Sequence, residues 1–251
     1  MNQTISSDGT TIAVDSYGNG PALVVVVGAF CDRQSKKGLT ARLSDRFTIF
    51  EYDRRGRGDS GPLGDNSVER EVDDLAAVIS LTGQSPFVFG DSSGGALALA
   101  AAAAGVAMKR IAVFEVPFTE GPSFTVAQEL ARLVASGQPG EAVVRFLALM
   151  GTPAPAVEAM RQGPYWPHME AFAATLPIDV QLCNNGVIPR GQLGTLTAPL
   201  LALAGDRSPW AEDVARTIAA AAPGAEARVL SGVGHDVPDA VLAPILAEYF
   251  A

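Results

Sequence analysis

The chain has 251 residues, 48% of them hydrophobic, and a formal net charge of −9. A chain of this length and apolar content buries its own core without disulfides or a metal. Its two cysteines, Cys31 and Cys183, lie too far apart to read as a disulfide framework or a clustered metal site. The acidic balance argues against a nucleic-acid partner, no basic run marks a membrane-surface patch, and no apolar run reads as a membrane span.

The opening stretch, "MNQTISSDGTTIAVD", has neither a basic nor an apolar leader pattern, so a cytoplasmic protein is expected. Within it "TTIAVDSYG" alternates, ends at Gly18 and Gly20, and predicts an antiparallel edge strand. "ALVVVVG" is a continuous β-branched run, as a strand buried on both faces requires. "FTIFEYD" is a further strand, and the Gly- and Arg-rich loop "RRGRGDSGPLGD" follows. "SVEREVDDLAAVISLTG" predicts a helix with Ser67 as N-cap, Glu69 and Glu71 in its first turn and Gly83 as its stop. Then come the strand "PFVFG", the helix "GGALALAAAAAGV" and the strand "RIAVFEVPF".

Residues 118–190 break this rhythm with helix-like pieces separated by Pro and Gly. The strand–helix alternation then resumes in "APLLALAGD", "PWAEDVARTIAAAAPG", "AEARVLSG" and "PDAVLAPILAEYF". Alternation of this kind argues for an α/β fold, a parallel sheet with helices on both faces. It divides the chain into a core of residues 1–117 and 191–251 and a helical insertion, 118–190.

Between the strand "FVFG" and the helix that follows, Gly90-Asp91-Ser92-Ser93-Gly94 reads G-x-S-x-G. That is the strand–turn–helix context of a nucleophile elbow. The turn demands small neighbours two residues either side of its apex. Gly90 and Gly94 meet that demand only if Ser92 is the apex. The following helix aims its positive N-terminus at the site and places the N–H of Ser93 to donate to an oxyanion.

A serine hydroxyl needs an adjacent base. Of the two histidines, His235 lies in a loop after the last predicted strand and His168 in the insertion, so His235 is the expected base. Asp206 follows a buried strand directly and is the favoured partner for the imidazole; Glu115, at the end of "RIAVFE", is the alternative. All three expected positions, Ser92, Asp206 and His235, sit at C-terminal ends of strands, where open α/β sheets bind ligands. A second oxyanion donor is expected in the loop after "ALVVVVG", at the N–H of Ala29, with Phe30 next. Cys31 is expected to pack under that loop.

These stretches ("VVVVGAFCDR", "YDRRGRGDSG", "GDSSGG", "LLALAGDRSP", "GVGHDVP") together resemble the α/β-hydrolase superfamily over essentially the whole chain. The resemblance implies an eight-stranded, mostly parallel sheet with its second strand antiparallel. It implies a Ser92–His235–Asp206 triad under a helical cap, and arginines of the 54–58 loop that buttress the structure through ion pairs. The chain departs from many relatives in carrying Val27-Gly28 where they have His-Gly at the oxyanion loop.

The expected function is a cofactor-free and metal-free serine hydrolase of a mostly apolar, small-to-medium carboxylic ester, thioester or lactone. Alternatives on the same fold are a lyase, C–C hydrolase, acyltransferase or perhydrolase, or a receptor-like ligand binder. The insertion supplies Phe118, Phe124, Phe146, Met150, Tyr165, Trp166, Met169 and Phe172. Of these Tyr165 and Trp166, flanked by prolines, are expected with Phe30 to face the substrate. The partner is a small molecule, with no nucleic acid or membrane, and the protein a monomer or homodimer.

Overall fold

The computed structural model describes residues 2–118 and 124–251. Residues 119–123 of the expected insertion and the side chains of Phe124 and Asn185 lie outside the described residues. Eight strands, β1 (Asn2–Ile5), β2 (Thr11–Gly18), β3 (Ala22–Val26), β4 (Thr48–Tyr52), β5 (Phe87–Asp91), β6 (Arg110–Phe114), β7 (Leu200–Gly205) and β8 (Glu226–Leu230), form one sheet. Its order is β1-β2-β4-β3-β5-β6-β7-β8. β2 runs antiparallel to both β1 and β4, and every pairing from β4 onward is parallel.

The "TTIAVDSYG" strand is therefore not the edge. The short, mostly exposed strand β1, without a strong alternating pattern, covers it.

Side-chain alternation explains why the central strands are apolar throughout. On β3, Leu23 and Val25 face one layer of the core and Val24 and Val26 the other. Phe87 and Phe89 on β5, Ala112 and Phe114 on β6, and Leu201 and Leu203 on β7 share the layer of Leu23. Helices α1 (Lys37–Leu43) and α11 (Asp239–Tyr249) close that side, with Phe87 and Phe250 stacked at 5.0 Å. Helices α2 (Val68–Ser80), α3 (Ser93–Ala103) and α10 (Pro209–Ala221) pack on the opposite layer. Both faces of the central strands β3, β5, β6 and β7 are thus dry, as strands flanked by helices on both sides demand. The Ser67 side chain caps α2 by accepting from the Arg70 N–H at 3.3 Å, as its sequence pattern requires.

Among the described residues six α-helices lie between β6 and β7: α4 (Phe124–Ala135), α5 (Pro139–Leu149), α6 (Ala154–Arg161), α7 (Trp166–Ala171), α8 (Leu176–Leu182) and α9 (Arg190–Leu193). Val126, Leu130, Val143, Phe146, Trp166, Met169 and Leu176 give these helices a small core of their own. Ala29 and Phe30, from the loop after β3, pack against it. Among the described residues no helix is long and apolar enough to cross a membrane.

Candidate active site

The elbow is built as its residues dictate. Ser92 follows β5 and opens α3 at φ 55°, ψ −126°, a positive-φ backbone that residues with a side chain rarely adopt. Its N–H donates to Phe114 O at 2.9 Å, which ties the turn to β6. A Cβ on Gly90 would lie 2.6 Å from Gly95 Cα, and one on Gly94 would overlap the Val26 carbonyl. Both glycines are therefore steric requirements of a corner with Ser92 at its apex.

The loop after β3 runs beside this corner. A Cβ on Gly28 would sit 2.9 Å from Ser92 Cβ and 3.4 Å from its Oγ. Phe30 holds φ 60°. Among the described residues the amides of Ala29 and Ser93 donate to no backbone carbonyl.

His235 reaches the site from the loop after β8. That loop crosses the end of β7 so closely that a Cβ on Gly205 would overlap the Val233 carbonyl. Ser92 and His235 line one cavity of about 350 Å3. No hydrogen bond joins their side chains among the described residues. Contacts of this type commonly tighten only when substrate binds.

The partner of the imidazole is Glu115, not Asp206. His235 Nδ1 lies 2.8 Å from Glu115 Oε2. The other carboxylate oxygen, Oε1, accepts the Gly205 N–H at 3.0 Å. Glu115 is 1% exposed and sits at φ 45°, one residue past the end of β6. Asp206 instead accepts from Ser231 Oγ at 3.0 Å and from the Gly232 N–H at 2.8 Å. It fastens the turn that begins the His235 loop, and among the described residues no hydrogen bond joins it to the ring. The signal for Glu115 was present in the sequence: an ionisable residue at the end of an otherwise apolar, doubly buried strand. The hydrogen bond that His235 donates to Glu115 raises the imidazolium above its ordinary value; burial works against this, and the charge of Asp91 adds to it.

The remaining cavity walls are Gly28, Ala29, Phe30, Cys31, Lys36, Asp91, Pro117, Phe146, Leu147, Met150, Trp210 and Asp236. Phe30 lines it as expected. Tyr165 and Trp166 do not. Tyr165 is 55% exposed and donates its hydroxyl to Phe30 O at 3.3 Å, and Trp166 is buried in the core of the inserted helices. Of their flanking prolines, Pro167 stands in the first turn of α7 and Pro164 precedes the helix. Phe146, Leu147 and Met150, at the C-terminal end of α5, take that wall instead.

Lys36 Nζ and Asp91 Oδ2 form an ion pair of 2.8 Å in the same wall. Burial alone would lower the Lys36 ammonium; the Asp91 carboxylate more than offsets this and holds it above its ordinary value. Cys31 is pushed up by burial first and by Asp91 second, which makes it a poor nucleophile.

A larger cavity of about 550 Å3, lined from α2, α3, α8 and α9, shares no lining residue with the site.

The chain matches the model of the alpha/beta hydrolase family over residues 23–244 and belongs to that family. It is a hydrolase by the same evidence. An alpha/beta hydrolase from Sphaerobacter thermophilus DSM 20745 is 40% identical, superposes with a TM-score of 0.92, and the match covers 100% of both chains. A thermophilic esterase from Thermogutta terrifontis, solved with malate bound, is 20% identical with a TM-score of 0.75, over 99% of this chain and 96% of that one. The hydrolase YraK of Bacillus subtilis (strain 168) is 29% identical over 102 residues, which span 39% of this chain and only 38% of that protein.

Proposed function

We propose that the protein is a serine hydrolase that cleaves small-to-medium carboxylic esters or lactones through an acyl-enzyme. The observation that carries this reading is the His235 Nδ1–Glu115 Oε2 contact of 2.8 Å beside a positive-φ Ser92 in one cavity. A carboxylate only accepts, so Nδ1 carries the proton and the Nε2 lone pair is free to act as base.

Ser92 Oγ attacks the substrate carbonyl carbon as His235 Nε2 takes its proton. The carbonyl oxygen becomes an oxyanion, stabilised by the Ala29 and Ser93 amides and by the N-terminus of α3. Glu115 holds the ring and stabilises its charged form. The intermediate collapses, the C–O bond breaks, and His235 returns the proton to the leaving alkoxide. Water, activated by the same nitrogen, attacks the acyl-enzyme, releases the acid and regenerates Ser92.

Phe30, Phe146, Leu147 and Met150 offer the acyl chain an apolar wall. A cavity of about 350 Å3 suits a small or medium substrate. The helices α4–α9 act as the cap over this cavity. A small-molecule partner and a cytoplasmic setting complete the proposal, supported by the net charge of −9 and the two unpaired cysteines.

The test is hydrolysis of p-nitrophenyl esters of graded chain length and of several lactones, with Ser92→Ala alongside. The wild type is expected to turn over a subset, to be labelled by a fluorophosphonate at Ser92, and to lose both in the variant. Equal rates in the two proteins would end this reading.

A further inference from the structure

Among the buried ionic groups outside this mechanism, one joins the inserted helices to the loops beside the cavity. Asp179, on α8 in the inserted helices, is 1% exposed. Its Oδ1 accepts from Ser93 Oγ at 2.7 Å and from Arg54 Nη1 at 2.7 Å. Its Oδ2 accepts from Arg57 Nη2 at 2.8 Å. The other end of the Arg57 fork, Nη1, donates to Gly28 O at 2.6 Å and to Cys31 O at 3.2 Å. Arg54 is balanced in turn by Glu71, at 2.9 Å. Burial alone would raise the Asp179 carboxyl, but Arg57 and Arg54 hold it below the usual carboxylate value.

We infer that Asp179 is a positioning residue that sets both arms of the oxyanion hole from the cap, an inference that rests on the hydrolase reading above. The first arm is direct: the residue whose hydroxyl Asp179 holds, Ser93, is the residue whose N–H donates to the oxyanion. The second arm runs through Arg57. Gly28 C=O and Ala29 N–H belong to one planar trans peptide and point in opposite directions. Fixing Gly28 O on Arg57 therefore fixes the opposite heading of the Ala29 N–H.

Phe30 sits two residues further on in a left-handed conformation that the loop would not hold unaided. Arg57 spans it by binding the carbonyls of Gly28 and Cys31 on either side. The cap adds a second restraint on the same loop, His168 Nε2 at 3.0 Å from Phe30 O. A hole whose donors are held in advance costs no reorganisation when charge develops.

Ser93→Ala keeps the backbone donor and deletes only the hydroxyl tie to Asp179. It is expected to lower kcat about tenfold with KM changed less than about twofold, because a shifted donor is felt only in the transition state. Asp179→Asn is expected to lower kcat by about 100-fold, the scale of losing an oxyanion donor. Arg57→Lys keeps the charge but not the fork, and is expected to fall between the two.

For each variant, the Ki of a trifluoromethyl ketone analogue should rise by the factor by which kcat falls, while inhibition by the product acid stays unchanged. Arg55→Lys is the control. Arg55 is equally buried and paired to Asp74 at 2.7 Å, but it touches neither arm. It should lower the melting temperature and leave kcat within about twofold.

Folded Ser93→Ala and Asp179→Asn proteins with wild-type kcat would overturn the inference, as would a kcat loss that Arg55→Lys shares. If Asp179→Asn does not fold, Ser93→Ala and Arg57→Lys decide by the same criteria. Wild-type turnover abolished by Ser92→Ala, with these variants unaffected, sinks this inference alone. A wild type with no Ser92-dependent turnover sinks the hydrolase reading and this one with it.

Discussion

Replacing Glu115 by glutamine changes one oxygen for an NH2 group and leaves the side-chain volume alone. In the native site Oε1 accepts from the Gly205 N–H at 3.0 Å and Oε2 faces His235 Nδ1 at 2.8 Å. The glutamine oxygen stays on Gly205, since an NH2 there would meet a donor. The amide then presents its own N–H to Nδ1, and Nδ1 must accept. The imidazole proton moves to Nε2, the nitrogen required as base. A tautomer inverted in this way costs kcat about 10³- to 10⁴-fold, or about 4 to 5.5 kcal/mol in the barrier.

The pH profile carries an independent signature. The Glu115 contact raises the His235 value, so its removal shifts the acid limb of kcat/KM to lower pH while the plateau falls. The assay is steady-state hydrolysis of a short p-nitrophenyl ester from pH 5 to 9, with Asp206→Asn in parallel. Among the described residues the Asp206 carboxylate accepts only from Ser231 and Gly232, so its variant should lose about 1–2 kcal/mol of stability and keep kcat within about threefold. An active Glu115→Gln beside an inactive Asp206→Asn would refute the reasoning.

Gly28→Ala places a methyl 2.9 Å from Ser92 Cβ and 3.1 Å from Asp91 O; kcat should fall about 100-fold in the same ester assay while the protein still folds by circular dichroism. Lys36→Met leaves Asp91 without its partner at 2.8 Å. Lys36 lowers and Asp91 raises the His235 value, so the acid limb of kcat/KM should move to higher pH in the variant. Phe146→Ala removes a wall that meets Phe30 edge-to-face at 5.4 Å. It should favour octanoyl over butanoyl esters by about tenfold relative to wild type, and should cost about 3–5 kcal/mol in a denaturant titration.

Much of this architecture is legible residue by residue because its causes are local. The apolar runs of β3, β5, β6 and β7 announce strands buried on both faces. The Ser67 cap announces α2. Gly90 and Gly94 single out Ser92, because a Cβ at either would collide with a neighbouring backbone whatever the rest of the chain does. The loop position of His235 follows from the last strand.

The acid is different. Glu115 and Asp206 each stand just past the end of one of two adjacent parallel strands, β6 and β7. Only the path of the 231–235 loop across Gly205 decides which carboxylate meets the ring. The facing of Tyr165 and Trp166 was likewise undecidable from α7 alone, because both the cavity and the small core of the inserted helices accept aromatic rings.

Asp179 makes the same point at longer range. It lies 122 residues from Arg57 and 86 from Ser93, and no motif spans such distances. Sequence alone therefore determined the central strands, the helix α2 and the corner with Ser92 at its apex, which depend on backbone sterics and side-chain periodicity over a few residues; it missed β1 and α1. The tertiary structure decided which charges meet. A carboxylate can be buried only where its partners converge, and that convergence is a property of the packed whole.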